Sequence, residues 1–92
     1  MDEMVRYYYF FTGRVQSVGF RYKAGLLAQA YKLTGFVKNE YDGSVSLEVQ
    51  GPEETIDQFV EELRTDRVIR IYSMSRERLD LVEGEKDFKV EF

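Results

Sequence analysis

The sequence predicts an α+β fold in which two helices pack on one face of an antiparallel sheet. Three observations carry this expectation: segments whose apolar residues alternate with polar ones, two segments whose apolar residues recur at helical spacing, and turn-forming residues between them. In chain order they read β-α-β-β-α-β with a short strand at the end, which is the ferredoxin-like sandwich pattern.

Val5 to Phe11 is a dense β-branched and aromatic run and is expected as the first strand. Thr12 to Gly19 holds two glycines among short polar residues and is expected as a loop. Phe20, Ala24, Leu27 and Tyr31 then recur at i, i+4, i+7 and i+11, a helical stripe. Gly25 weakens this helix, and Gly35 is expected to stop it. Phe36 to Asn39 makes a short second strand, and Tyr41-Asp42-Gly43-Ser44 a turn, Asp-Gly being a strong hairpin signal. In the third strand Val45, Leu47 and Val49 share one face and Ser46, Glu48 and Gln50 the other. Pro52, Glu53 and Glu54 suit the first turn of a second helix, whose stripe is Ile56, Phe59, Val60 and Leu63. Val68 to Leu79 contains a fourth strand with open limits. Gly84 interrupts, and Phe88, Val90 and Phe92 alternate as the last strand.

Ninety-two residues make one domain, 1–92, with a thin core that seven Tyr and seven Phe help to fill. The formal net charge of −4 argues against a general affinity for nucleic acid. It leaves room for one local anion site built from backbone N–H groups and an Arg. With no Cys and no His, disulfides, thiolate nucleophiles, Ser-His-Asp triads and Cys/His zinc sites are excluded. No stretch approaches transmembrane length, and the acidic N-terminus has no long apolar segment behind it. A cytoplasmic protein with no membrane or nucleic-acid partner is expected, and a monomer.

The most informative segment is Gly13-Arg14-Val15-Gln16-Ser17-Val18-Gly19-Phe20-Arg21, between a strand and a helix N-terminus. Free N–H groups and the helix dipole favour phosphate there, and glycines allow successive N–H groups to converge on an anion. Arg21, in the first turn of the helix, can add a bidentate contact. The spacing is not that of a Walker A loop. Taken alone, it does not distinguish a phosphate cradle from a glycine-bearing connection with a surface Arg.

The segment resembles the signature of the acylphosphatase family, Gly-x-Val-Gln-Gly-Val-x-Phe-Arg, through Gly13, Val15, Gln16, Val18, Phe20 and Arg21. Gly35-Phe36-Val37-Lys38-Asn39 is similar to the family's Gly-aromatic-Val-x-Asn. Asp42-Gly43-Ser44-Val45, followed by Glu48 and Gly51, is similar to its third-strand hairpin. The three pieces keep the family's order and spacing, and the overlap spans residues 5 to 92. The resemblance implies hydrolysis of the carboxyl–phosphate bond of acyl phosphates. It implies that Arg14, Val15, Gln16, Ser17, Val18, Gly19 and Arg21 bind the phosphoryl group, and that Asn39 positions the attacking water. A small-molecule acyl phosphate is the implied partner, and no cofactor or metal is expected. Ser17 departs from the signature, where the family has Gly. If that position needs a positive φ, Ser costs about 1–3 kcal/mol there.

Two other readings follow from the same residues. RNA-recognition modules share the element order, and Tyr7-Tyr8-Tyr9-Phe10-Phe11 could supply stacking faces, but the third strand lacks the aromatic and basic RNP1 pattern. An anion-binding or regulatory module that has lost turnover is the other, and Ser17 is the reason to carry it.

Overall fold

The computed structural model describes residues 3–92. Seven elements follow one another: β1 (Met4–Arg14), α1 (Phe20–Ala30), β2 (Thr34–Asn39), β3 (Val45–Pro52), α2 (Glu53–Arg64), β4 (Arg70–Leu79) and β5 (Phe88–Val90). The five strands form one sheet in the order β4-β1-β3-β2-β5, with both helices on one face.

The core lies between that face and the helices. Val5, Tyr7, Tyr9 and Phe11 alternate inward from β1 and stand opposite Gly51, Val49, Leu47 and Val45 of β3. From α1, Phe20, Ala24 and Ala28 come down on this surface; from α2, Ile56, Phe59, Val60 and Leu63. Phe11 joins strand to helix, its ring 5.7 Å from Tyr9 and 5.1 Å from Phe20. These inward rings are buried in the core, while Tyr8 and Phe10, which alternate to the outer face, are half-buried.

Three expectations are corrected. First, β1 does not end at Phe11. Thr12, Gly13 and Arg14 continue it by pairing with Ser73, Ile71 and Arg70 across an irregularity in the β4 ladder, so short polar residues that read as a loop are held by a long neighbouring strand. Second, Gly35 does not stop α1. The helix closes three residues earlier, with Lys32 N–H donating to Gln29 O (3.1 Å) and Leu33 N–H to Ala28 O (2.8 Å), a Schellman motif whose left-handed residue is Lys32 at φ 60°. Gly35 instead lies in β2 at φ 136°, where a Cβ would come within 1.9 Å of the Glu48 carbonyl oxygen. Third, the sheet is mixed rather than wholly antiparallel, because β5 runs parallel to β2.

The parallel pair follows from the route of the chain. β4 and β5 occupy opposite edges, so residues 80–87 must cross the outer face of the sheet. That crossing is tied down by polar contacts. Gln50 accepts from Val82 N–H (2.8 Å) and donates to Val82 O (3.1 Å). Arg6, only 3% exposed on the outer face, bridges Glu48 (2.9 Å) and Glu85 (2.7 Å). Burial raises the Glu85 carboxyl, but hydrogen bonds and the charge of Arg6 outweigh it and hold the group below its ordinary value.

Candidate active site

The 15–19 segment leaves β1 and turns into α1 through two left-handed residues, Ser17 at φ 62° and Gly19 at φ 84°. Gly19 is the N-cap of α1, and with no side chain it supplies no capping oxygen. Among the described residues, the backbone N–H groups of 16–19 make no protein hydrogen bond. The positive end of an 11-residue helix and a set of unpaired donors therefore meet at one place. This is the physical setting for an anion, which would satisfy donors that the fold leaves open.

Two side chains complete the setting. Arg21, in the first turn of α1, is half-buried; its Nη1 donates to Glu91 O at 2.7 Å and its guanidinium lies 4.8 Å from the Phe92 ring centroid. One donor is thus committed to holding the group in place, and the rest of the planar fork remains for an oxyanion. Asn39 closes β2, opposite Val45. Its Oδ1 is buried and has no hydrogen-bond partner among the described residues. A buried acceptor left without a donor costs about 1–3 kcal/mol, and a site that keeps one has a use for it.

The two side chains face one cleft of about 400 Å³, which Val15, Ser17, Gly19 and Phe20 also line. Of the residues expected to bind phosphate, Val15, Ser17, Gly19 and Arg21 reach this cleft with Asn39. Arg14, Gln16 and Val18 do not line it. Arg14 is the exposed last residue of β1, opposite Arg70. The Gln16 side chain turns to the hairpin, donating from Nε2 to Glu40 O (2.7 Å) and Ser44 O (2.8 Å), and so fastens the loop to the β2–β3 turn near Asn39. That turn is itself set by Asp42, which accepts from the Ser44 hydroxyl and from Ser44 N–H (2.9 Å) and is held below its ordinary carboxylate value by these bonds.

On the other side, Lys23 Nζ donates to Asp66 Oδ2 at 2.6 Å and ties α1 to the α2–β4 connection. The Lys23 ammonium and the N–H groups of Ile69 and Val68 bring the Asp66 pKa from 3.8 down to about 2. Among the described residues, no three His, Cys, Asp or Glu side chains gather to hold an ion. No helix among them is long and apolar enough to cross a membrane.

Sequence reading missed the far wall of the cleft: Tyr22, Leu26 and Gln29 from α1, and Val90 and Phe92 from the C-terminal strand and its end. The signal was available for part of it, since Tyr22 and Leu26 are an i, i+4 apolar pair lying off the buried Phe20–Ala24–Ala28 stripe.

Comparison with known proteins shows the family. A sequence profile of the acylphosphatase family matches residues 7–90. An acylphosphatase of Clostridium acetobutylicum is 40% identical over 88 residues, covering 95% of this chain and 97% of that one. The crystal structure of acylphosphatase from Bacillus subtilis superposes with a TM-score of 0.88 at 34% identity, over 96% of this chain and 99% of its own. The structure of HypF from T. kodakarensis contains a similar domain, with a TM-score of 0.83 at 29% identity, covering 96% of this chain but 12% of that longer one.

Proposed function

Because the chain belongs to the acylphosphatase family, whose members hydrolyse acyl phosphates, we propose that it works through the 15–19 cradle, Arg21 and Asn39. The phosphoryl group of the substrate sits against the N–H groups of the loop at the head of α1, with Arg21 on its equatorial oxygens. These donors are in place before the reaction, and they stabilise charge on the transferring group without reorganising. Asn39 Oδ1 accepts a hydrogen bond from the attacking water and aims its lone pair at phosphorus. The water oxygen bonds to phosphorus, and the bond from phosphorus to the acyl oxygen breaks. The carboxylate departs with the electron pair, and a phosphate oxygen takes the water's proton. A carboxylate is a good leaving group, so no strong general base is required. Positive charge comes from Arg21 and the backbone dipoles, and we place the reaction outside the need for a metal ion; turnover that survives a chelator is the expected outcome.

The observation that carries this reading is the orphaned Oδ1 of Asn39 in the same cleft as Arg21 and the uncapped start of α1. An acceptor that the protein leaves unsatisfied beside an anion site suits a water that enters with the substrate. The acidic, cysteine-free composition fits a cytoplasmic monomer acting on a small molecule rather than on nucleic acid.

The test is a titration with inorganic phosphate followed by amide resonances. The N–H signals of residues 15–19 are expected to move in the wild type and in Asn39→Ala, and to stay still in Arg21→Ala. Phosphate-induced shifts centred on another part of the surface would exclude the cradle.

A further inference from the structure

The cleft is larger than a phosphate needs, and its excess volume is mostly apolar, with Gln29 the polar side chain on that side. At about 400 Å³ it falls in the range of sites that enclose a whole small organic molecule. The phosphate end is polar. Beyond it, Tyr22 and Leu26 form one wall, Val90 and Phe92 the other. Their exposure is high for such residues, 71% for Tyr22 and 51% for Leu26, so apolar surface is held in water next to the reacting group. Gly25 sets the width: a Cβ there would stand 2.8 Å from Val90 Cγ2, so the lack of a side chain lets β5 lie against α1 and gives the groove a floor. Gly inside a helix is unfavourable, and its presence here serves the close approach.

Charge narrows the occupant further. Arg21 is the one cation among the described lining residues, and the phosphoryl group already claims it. A substrate with a second, terminal phosphate would find no second cation among the described lining residues, only the neutral donors of Gln29 and Tyr22. An uncharged aromatic or branched aliphatic acyl group would bury its surface against Tyr22 and Leu26.

We propose that the Tyr22–Leu26–Val90–Phe92 groove is the acyl-binding subsite, and that it selects acyl phosphates whose acyl group is uncharged and apolar. This rests on the phosphate cradle described above. The two ideas fail separately in a binding experiment that needs no turnover. Calorimetry compares inorganic phosphate with two non-hydrolysable analogues, acetonylphosphonate, which carries a methyl, and phenacylphosphonate, which carries a phenyl. The phenyl compound is expected to bind about tenfold or more tightly than the methyl one, the selectivity that a few buried carbons supply. Leu26→Glu, a change at an exposed helix position, is expected to bring that ratio to about one, and Tyr22→Ala to lower it. Equal affinity of the two phosphonates in the wild type, with phosphate still bound, overturns the subsite and leaves the cradle standing. A ratio unchanged in both variants overturns it as well. Absence of binding by all three compounds overturns the cradle and the subsite together.

Discussion

Ser17 is where this chain departs from its family signature, and the structure makes the consequence measurable. Its φ of 62° lies in the left-handed region. For an L-residue other than Gly, Asn or Asp that conformation costs about 1–2 kcal/mol. Ser17 is exposed and its side chain makes no hydrogen bond among the described residues, so nothing local offsets the cost. Ser17→Gly removes the strain but adds freedom to the unfolded chain, worth about 0.5–1 kcal/mol in the opposite sense. The balance is a stabilisation of up to about 1.5 kcal/mol, centred on about 0.75 kcal/mol. In a domain of this size the central value raises Tm by roughly 3–6 °C. Ser17→Val, β-branched and stiff at χ1, is expected to shift stability the other way by about 1–2 kcal/mol. Urea unfolding at neutral pH, checked for two-state behaviour, measures both. A Gly variant less stable than wild type, or a Val variant as stable, would show that position 17 does not hold a left-handed angle in solution, and the geometry assigned to the cradle would be wrong.

Lys32→Gly relieves the same kind of strain at the end of α1, and a gain of about 0.5–1 kcal/mol in unfolding free energy is expected by the same assay. Gly35→Ala sets a Cβ against the Glu48 carbonyl at 1.9 Å, backbone that cannot step aside, and a loss of about 2–4 kcal/mol is expected in thermal or urea unfolding. The Lys23–Asp66 pair predicts an acid-side effect. The Asp66 pKa is depressed in the folded state, so its contribution is complete above about pH 4 and is lost as pH falls towards about 2. With Lys23 partly in solvent, that contribution is about 1–2 kcal/mol. Lys23→Gln should flatten the fall of the urea midpoint between those pH values, and a slope parallel to wild type would contradict the assignment.

What was legible in the sequence is what local periodicity encodes. Ile56, Phe59, Val60 and Leu63 recur on one face of α2, and all four are buried. Tyr7, Tyr9 and Phe11 alternate on β1, and all three face the core. The limits of β4 were not legible, because nearly every residue of this edge strand is exposed and no alternation marks its ends. The direction of β5 was hidden for another reason. It depends on the route of residues 80–87 across the sheet, secured by Arg6 and Gln50 from distant strands. Gly35 misled because glycine serves equally at a helix end and at a crowded strand crossing; only the Glu48 backbone opposite it decides between them. In the site, Arg21 and Asn39 stood out through the family signature, but their supports did not. Glu91 O and the Phe92 ring reach Arg21 from the far end of the chain, and Gln16 reaches the hairpin through main-chain oxygens that any residue could provide. The apolar wall was legible only in its α1 half, as the off-stripe Tyr22–Leu26 pair; its other half comes from Val90 and Phe92 at the far end of the chain, which no local pattern places there.

The central claim is that Arg21 and Asn39 divide the work of acyl phosphate hydrolysis between holding the phosphoryl group and aiming the water. Hydrolysis of benzoyl phosphate, followed by its loss of ultraviolet absorbance with and without chelator, tests it most directly. Chelator-resistant turnover by the wild type is expected. Arg21→Ala should lose turnover together with phosphate inhibition, while Asn39→Ala should lose about 10²–10³ in kcat with phosphate inhibition kept, the scale set by removing one preorganised transition-state contact. Full turnover by folded Asn39→Ala, or undiminished phosphate inhibition in Arg21→Ala, would contradict the division of roles.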